Sequence, residues 1–356
     1  MLKWLSAFVL LIALLSSKTF AEPSLWESDK LEIYSATDLN AISPILDAFR
    51  IKYPHINLIY REFNTQELDH AIRKKALHDQ PDVVMSSAMD LQVRLVNDGY
   101  AQPVLNEVVD TLPSWANWRN EVIGFTYEPI VFVYNKAAFK NKTVPLTHES
   151  LARVMRTEDD FFAHKVGSYD ARRSGIGYLV ATQDEVTSSI SGRLQESLGR
   201  ARTKVYGQTS TLLDDIASGK LLFGYNLLGS YSFAREKRDD RIGVVIPQDY
   251  ALVVSRAAFI SKQAKHVENA QRFVSFLISE EGQDVIAKKS ELVALHPDID
   301  ALVSPQNVRD QTINFHPIPL GPALMVYLDD SKRRRFIKAW ENALLSIKRD
   351  PSNPSN

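Results

Sequence analysis

The sequence predicts a two-lobed α/β protein, each lobe a mainly parallel sheet flanked by helices, with a cleft at a hinge of two chain crossings. Three observations carry that expectation. Short β-branched or aromatic runs alternate with amphipathic stretches, the pattern of strands joined by crossover helices. The 356 residues exceed what one core usually organises, since domains run to roughly 150 residues. Finally, an apolar strand over residues 128–135 and a pair of strands over 243–254 are placed to carry the chain out of one core and back.

The elements follow in order. Lys3, an apolar run over residues 5–15 and Thr19-Phe20-Ala21 have the arrangement of a secretory leader. The run is too short to span a bilayer, so residues 1–21 are expected to be cleaved as a signal peptide and the mature chain to lie in the periplasm. No cysteine occurs, which excludes a lipid anchor, disulfide staples and thiolate metal sites. Leu31-Glu32-Ile33-Tyr34 reads as the first strand. Leu39, Ile42, Ile45, Leu46 and Phe49 then recur near helical spacing until Tyr53-Pro54 stops the helix. Residues 56–60 read as a strand, 65–78 as a helix and Pro81-Asp82-Val83-Val84-Met85 as a third strand, completing a βαβαβ unit. A helix opening at Ser86-Ser87-Ala88-Met89-Asp90 ends at Asn97-Asp98-Gly99, a helix C-terminal signal.

After the crossing strand, residues 165–169 and 221–225 are strand-like with helices between them. Residues 266–278 and a segment from Ser279 onward are amphipathic helices, and 331–347 form a last helix whose Lys332, Arg333, Arg334 and Arg335 suit a solvated face. The boundaries expected are therefore 22–127 plus about 250–300 for lobe 1 and 128–249 for lobe 2. A C-terminal helical segment over 301–349 packs on the lobes, and a Pro/Ser/Asn-rich tail over 350–356 is disordered.

Charge excludes some partners. Without Lys3 and Lys18 the 42 basic residues become 40 against 43 acidic, so neither nucleic acid nor a membrane surface is an expected partner. The eight histidines lack ligand spacing, and no nucleophile elbow, phosphate loop or zinc-protease motif occurs, so no catalytic residue, metal or cofactor is expected. Four strand-to-helix junctions are rich in small hydroxyl residues or glycine: Ser35-Ala36-Thr37, Ser86-Ser87-Ala88, Arg173-Ser174-Gly175-Ile176-Gly177 and Gly229-Ser230-Tyr231-Ser232. In open α/β sheets such junctions face the crevice beyond the strand ends, where helix N-termini present N–H groups. The candidate ligand-binding residues are Ser35, Thr37, Ser86, Ser87, Arg172, Arg173, Ser174, Ser230 and Tyr231. With an arginine among them, that set suits phosphate or carboxylate oxygens.

Several segments also carry a family likeness: Ile33-Tyr34-Ser35-Ala36-Thr37-Asp38, Asp82-Val83-Val84-Met85-Ser86-Ser87-Ala88-Met89-Asp90, Phe132-Val133-Tyr134-Asn135-Lys136, Ala270-Gln271-Arg272-Phe273-Val274-Ser275-Phe276-Leu277 and Ser279-Glu280-Glu281-Gly282-Gln283. Together they resemble the type II periplasmic solute-binding proteins, in particular the branch of ferric-iron, thiamine and phosphoglycerate-type binding proteins of ABC transporters. The resemblance implies a monomer that closes two lobes around a small molecule. Its partner would be an ABC transporter permease or, in phosphoglycerate-type systems, a sensor kinase. The ferric branch holds its metal with adjacent tyrosines. This chain departs from that at Tyr225-Asn226-Leu227-Leu228-Gly229-Ser230-Tyr231, leaving Tyr231, Tyr225 and Asp170 as an alternative partial Fe(III) set.

Overall fold

The computed structural model describes residues 29–74, 80–296 and 313–345; the expected leader over 1–21 and tail over 350–356 lie outside them. In chain order the elements begin β1 (Lys30–Ser35), α1 (Leu39–Lys52), β2 (Asn57–Glu62), α2 (Thr65–Lys74), β3 (Val83–Ser86), α3 (Met89–Asn97), β4 (Ala101–Gln102), β5 (Asn117–Trp118) and β6 (Val122–Gly124). The chain continues through β7 (Glu128–Asn135), α4 (His148–Thr157), α5 (Asp159–Phe162), β8 (Val166–Tyr169), α6 (Gly175–Thr187), α7 (Ser191–Arg200), β9 (Lys204–Tyr206), α8 (Thr209–Ala217), β10 (Phe223–Leu228), α9 (Gly229–Arg238), β11 (Ile242–Val245) and β12 (Ala251–Val254). It ends with β13 (Ala257–Ser261), α10 (Val267–Ile278), α11 (Glu280–Lys289), β14 (Phe315–Pro317) and α12 (Asp330–Leu345).

These strands form two seven-stranded sheets. One runs β2-β1-β3-β13-β6-β5 with β4 on β13, and the other β14-β12-β7-β10-β8-β9 with β11 on β7. Both are mixed. The βα units pair in parallel, β1 with β2 and β3, and β8 with β9 and β10. The strands that bring the chain across run the other way: β7 is antiparallel to β10, β11 and β12, and β13 to β3, β4 and β6. The chain changes sheet between Gly124 and Glu128 and returns between Val254 and Ala257. The return thus falls after β12, some residues beyond the expected boundary at 249.

Periodicity explains the elements that face both core and water. On α1 the buried side chains are Ala41, Ile42, Ile45, Leu46 and Phe49, one helical face, and Phe49 meets Phe273 and Phe276 of α10 edge-on. β7 is buried at seven of its eight positions, which is why it reads as a continuous apolar run. The C-terminal segment belongs to the second sheet: β14 pairs with β12, and Phe336, Trp340 and Leu344 of α12 enter the core shared with Leu194 and Leu198 of α7. The approach is close enough that a Cβ on Gly199 would stand 1.8 Å from the carbonyl oxygen of Ala343.

Candidate functional site

A cavity of 510 Å³ lies between the sheets, beyond the carboxyl ends of β1, β2, β3, β8 and β10. That volume suits a small organic ligand. Its walls are helix starts. The first sheet contributes Asp38 and Glu62 around the start of α1, Asn64, Thr65 and Glu67 at α2, and Ser87 ahead of α3. The second contributes Ser174 at α6, Gln208, Thr209 and Ser210 at α8, and Leu228 and Tyr231 at α9.

The two walls touch. The Gly175 N–H donates to Thr65 Oγ1 at 2.9 Å, Gln66 Nε2 to the Arg172 carbonyl at 3.2 Å, and the Asp38 N–H to the Tyr231 hydroxyl at 3.3 Å. Gly175 permits this approach, because a Cβ there would lie 2.8 Å from Thr65 Oγ1, 3.0 Å from Thr65 Cβ and 3.1 Å from Ala88 Cβ.

At the floor of the cavity stands Arg256, on the two-residue link between β12 and β13 and fully buried. Its Nε lies 2.8 Å from Glu128 Oε1, its Nη1 donates to Thr37 Oγ1 at 3.0 Å, and its guanidinium sits 5.0 Å from the Tyr231 ring centroid. Nη2 has no hydrogen-bond partner among the described residues. Glu128, also fully buried, starts the other crossing strand; it accepts hydrogen bonds from Thr126 at 2.9 Å and from Ser230. Both crossings are thus joined by one buried ion pair. Burial works against the charge on Arg256, but Glu128 first and then Tyr231 and Asp38 outweigh it, so the guanidinium stays cationic. Burial also holds the phenol of Tyr231 well above its ordinary range and pushes Tyr169, another wall residue, up to about 12.

Ser87, Arg173, Ser174 and Tyr231 line the cavity as their junctions suggest. The other expected residues do not, and local chemistry explains each. Ser35 and Ser86 turn their hydroxyls back to accept from the N–H groups of Thr37 and Ala88, both at 3.1 Å. Thr37 is buried behind the wall, where it holds Arg256. Ser230 is spent on Glu128. Arg172 is drawn away: Asp170 binds its Nε and Nη2 at 2.8 Å each, and Glu341 of α12 accepts from Nη1 at 3.3 Å. Burial raises Asp170, yet Arg172 outweighs it and holds that carboxyl below its usual range. Within the alternative iron set, Tyr225 is buried against Asp184 and Asp170 is occupied by Arg172, so Tyr231 stands alone in the cavity. Among the described residues no group of three or more His, Cys, Asp or Glu is placed to hold a metal ion.

A model of the bacterial extracellular solute-binding protein family matches residues 45–312. The chain belongs to that family. The fold is similar to the crystal structure of the substrate-binding protein of an ABC transporter from Agrobacterium tumefaciens, with a TM-score of 0.82 and 33% identity over 93% of this chain and 96% of that one. It is also similar to the periplasmic binding protein AfuA from Actinobacillus pleuropneumoniae with fructose-6-phosphate bound, at a TM-score of 0.73 and 17% identity over 88% and 98% of the two chains. In sequence it is similar to iron uptake protein A1 of Synechocystis, 24% identical over 280 residues, 74% of this chain and 75% of that protein. The family is one of substrate-binding proteins, not enzymes. No helix among the described residues is long and apolar enough to cross a membrane.

For a solute-binding protein the residues that sequence reasoning missed are informative. Arg256, Glu128, Asp38, Glu62 and Tyr169 are absent from the junction-based set. A signal for Arg256 exists in Leu252-Val253-Val254-Ser255-Arg256-Ala257-Ala258-Phe259-Ile260, because a charge inside an apolar run must be paired or functional when buried. Glu128 carries the same mark at the head of an apolar strand.

Proposed function

We propose that the mature chain, exported to the periplasm and cleaved after Ala21, captures a small anionic ligand at Arg256 and delivers it to the permease of an ABC transporter. One observation carries this reading: Arg256, a fully buried guanidinium, is among the residues lining the 510 Å³ cavity, and its Nη2 has no hydrogen-bond partner among the described residues. A buried donor left unmade is costly, and a ligand oxygen satisfies it with a charge-assisted bond. Arg173 and the helix starts carrying Ser87, Ser174 and Thr209 add donors around the same space. A phosphate or carboxylate group fits that chemistry, and the cavity holds a molecule of the size of a phosphorylated three-carbon acid or sugar.

The Fe(III) alternative demands phenolates, and this cavity works against them. Tyr231 is raised by burial and its oxygen already accepts the Asp38 N–H.

The test is calorimetric titration with phosphorylated three-carbon acids, sugar phosphates and Fe(III). Replacing Arg256 alone strands buried Glu128, at a cost to stability of about 3–5 kcal/mol. The double change Arg256→Gln/Glu128→Gln keeps the region neutral, and it should weaken an anionic ligand by about 2–5 kcal/mol. Tight Fe(III) binding that survives in this double variant but disappears in Tyr231→Phe contradicts the proposal.

A further inference from the structure

The cavity carries more negative than positive groups, which a simple anion does not complement. We infer that the ligand is a zwitterion, with an anionic head for Arg256 and an ammonium group for the carboxylates of Asp38, Glu62 and Glu67. This rests on the anion reading above and adds the ligand's second end. The three carboxylates line the cavity with Arg173 and Arg256, three negative groups against two positive. Arg256 is already matched by Glu128 beneath it, so the wall facing the ligand is more acidic than that balance states.

None of the three carboxylates forms a salt bridge with a described residue. Glu62 and Glu67 instead accept from backbone N–H groups, of Leu39 at 2.8 Å and of Asn64 at 3.4 Å, and the Asp38 carboxyl is hydrogen-bonded by the Tyr231 side chain. Glu62 therefore occupies the start of α1 itself, and no incoming anion can use that N–H. Asp38 shows the strain of the arrangement. Its carboxyl is raised, chiefly by burial; Arg256 opposes this, while the charge of Glu62 adds to it.

A dianion brought to Arg256 alone would add to this crowding of like charges. A hydroxyl on the ligand would donate one hydrogen bond to a carboxylate and leave the charge in place. An ammonium group supplies three donors and the missing positive charge together. Phe63 lines the same cavity, and an aromatic ring attracts a cation placed over its face.

The experiment compares matched ligands that differ only at the second end: O-phosphoethanolamine against 2-hydroxyethyl phosphate, and γ-aminobutyrate against γ-hydroxybutyrate. Each is titrated near neutral pH into wild type, into Asp38→Asn/Glu62→Gln and into Arg256→Gln/Glu128→Gln. Glu62→Gln keeps an oxygen for the Leu39 N–H, so α1 retains its cap. In wild type the ammonium member of at least one pair should bind more than about tenfold tighter than its hydroxyl twin, and in the acidic-residue variant that gap should fall to about threefold or less. Equal binding of the twins to wild type overturns the zwitterion and leaves the anion reading standing. A gap that persists in Asp38→Asn/Glu62→Gln overturns the assignment to these carboxylates. Failure of both pairs to bind wild type, or binding unchanged in the Arg256 variant, overturns the anion reading and this inference with it.

Discussion

Replacing Gly175 by valine should hold the cleft open. The contact that closes it runs between the first residue of α6 and the first residue of α2, where the Gly175 N–H meets Thr65 Oγ1. Gly175 is not at positive φ, so its own backbone tolerates a side chain. The obstacle is the opposite wall. A Cβ meets Thr65 Oγ1 at 2.8 Å, Thr65 Cβ at 3.0 Å and Ala88 Cβ at 3.1 Å, and the two further methyls of valine have no space before the first lobe. Inserting such bulk into a packed contact costs about 1–3 kcal/mol. Because the contact exists only between the lobes, the cost falls on the closed state, and apparent affinity should drop about 5- to 150-fold. Calorimetry with the tightest ligand from the panel above gives that number. Small-angle scattering should show a radius of gyration at saturation close to that of the ligand-free protein, and the thermal midpoint without ligand should stay near wild type. An affinity within about twofold of wild type, beside an unchanged ligand-induced contraction, would show that closure does not depend on this contact.

Arg172→Ala removes partly exposed ion pairs with Asp170 and Glu341, so it should cost about 1 kcal/mol of stability or less and leave affinity untouched, whereas Arg173→Ala should weaken binding; a tenfold loss for Arg172→Ala, on the order of 1.4 kcal/mol, would place it in the site after all. Gly199→Ala drives a Cβ into the Ala343 carbonyl and should lower stability by about 1–3 kcal/mol, read from chemical denaturation, and an unchanged midpoint would show that α12 yields freely. Asp90 is fully buried and burial raises its carboxyl to about 7. Its folded value therefore lies above the unfolded one, so its stabilising effect is complete below about pH 4 and is lost as pH rises through about 7. Asp90→Asn should flatten the decline in melting temperature between those limits; an unaltered slope would mean that the carboxyl is not held neutral. N-terminal sequencing of secreted protein should begin at Glu22, and a chain still carrying Lys3 would contradict cleavage.

The elements legible in the sequence were those whose burial leaves a period or an unbroken run. β7 is apolar along nearly its whole length, and α1 and α10 show one buried face each. β5 and β6 are two and three residues long and exist because β13 offers them an edge, which no local pattern records. β13 was hidden by Ser255-Arg256, which interrupts the apolar run at the crossing. In the cavity, junction chemistry points to Ser87, Ser174 and Tyr231 because helix starts are local features. It fails for Arg172, whose partner Asp170 is two residues away but whose second partner, Glu341, is far along the chain. Arg256 is missed for the same reason: its environment is assembled from Thr37, Glu128 and Tyr231, distant segments that only the fold brings together.

Whether an anion is held at Arg256 between two closed lobes can be read from the crystal structure of protein purified with its ligand. A phosphate or carboxylate oxygen is expected within hydrogen-bond distance of the Arg256 guanidinium, with Arg173 and the helix starts of both lobes around it. A cavity holding Fe(III) on the Tyr231 phenolate, or a ligand whose acidic group lies away from Arg256, would contradict it.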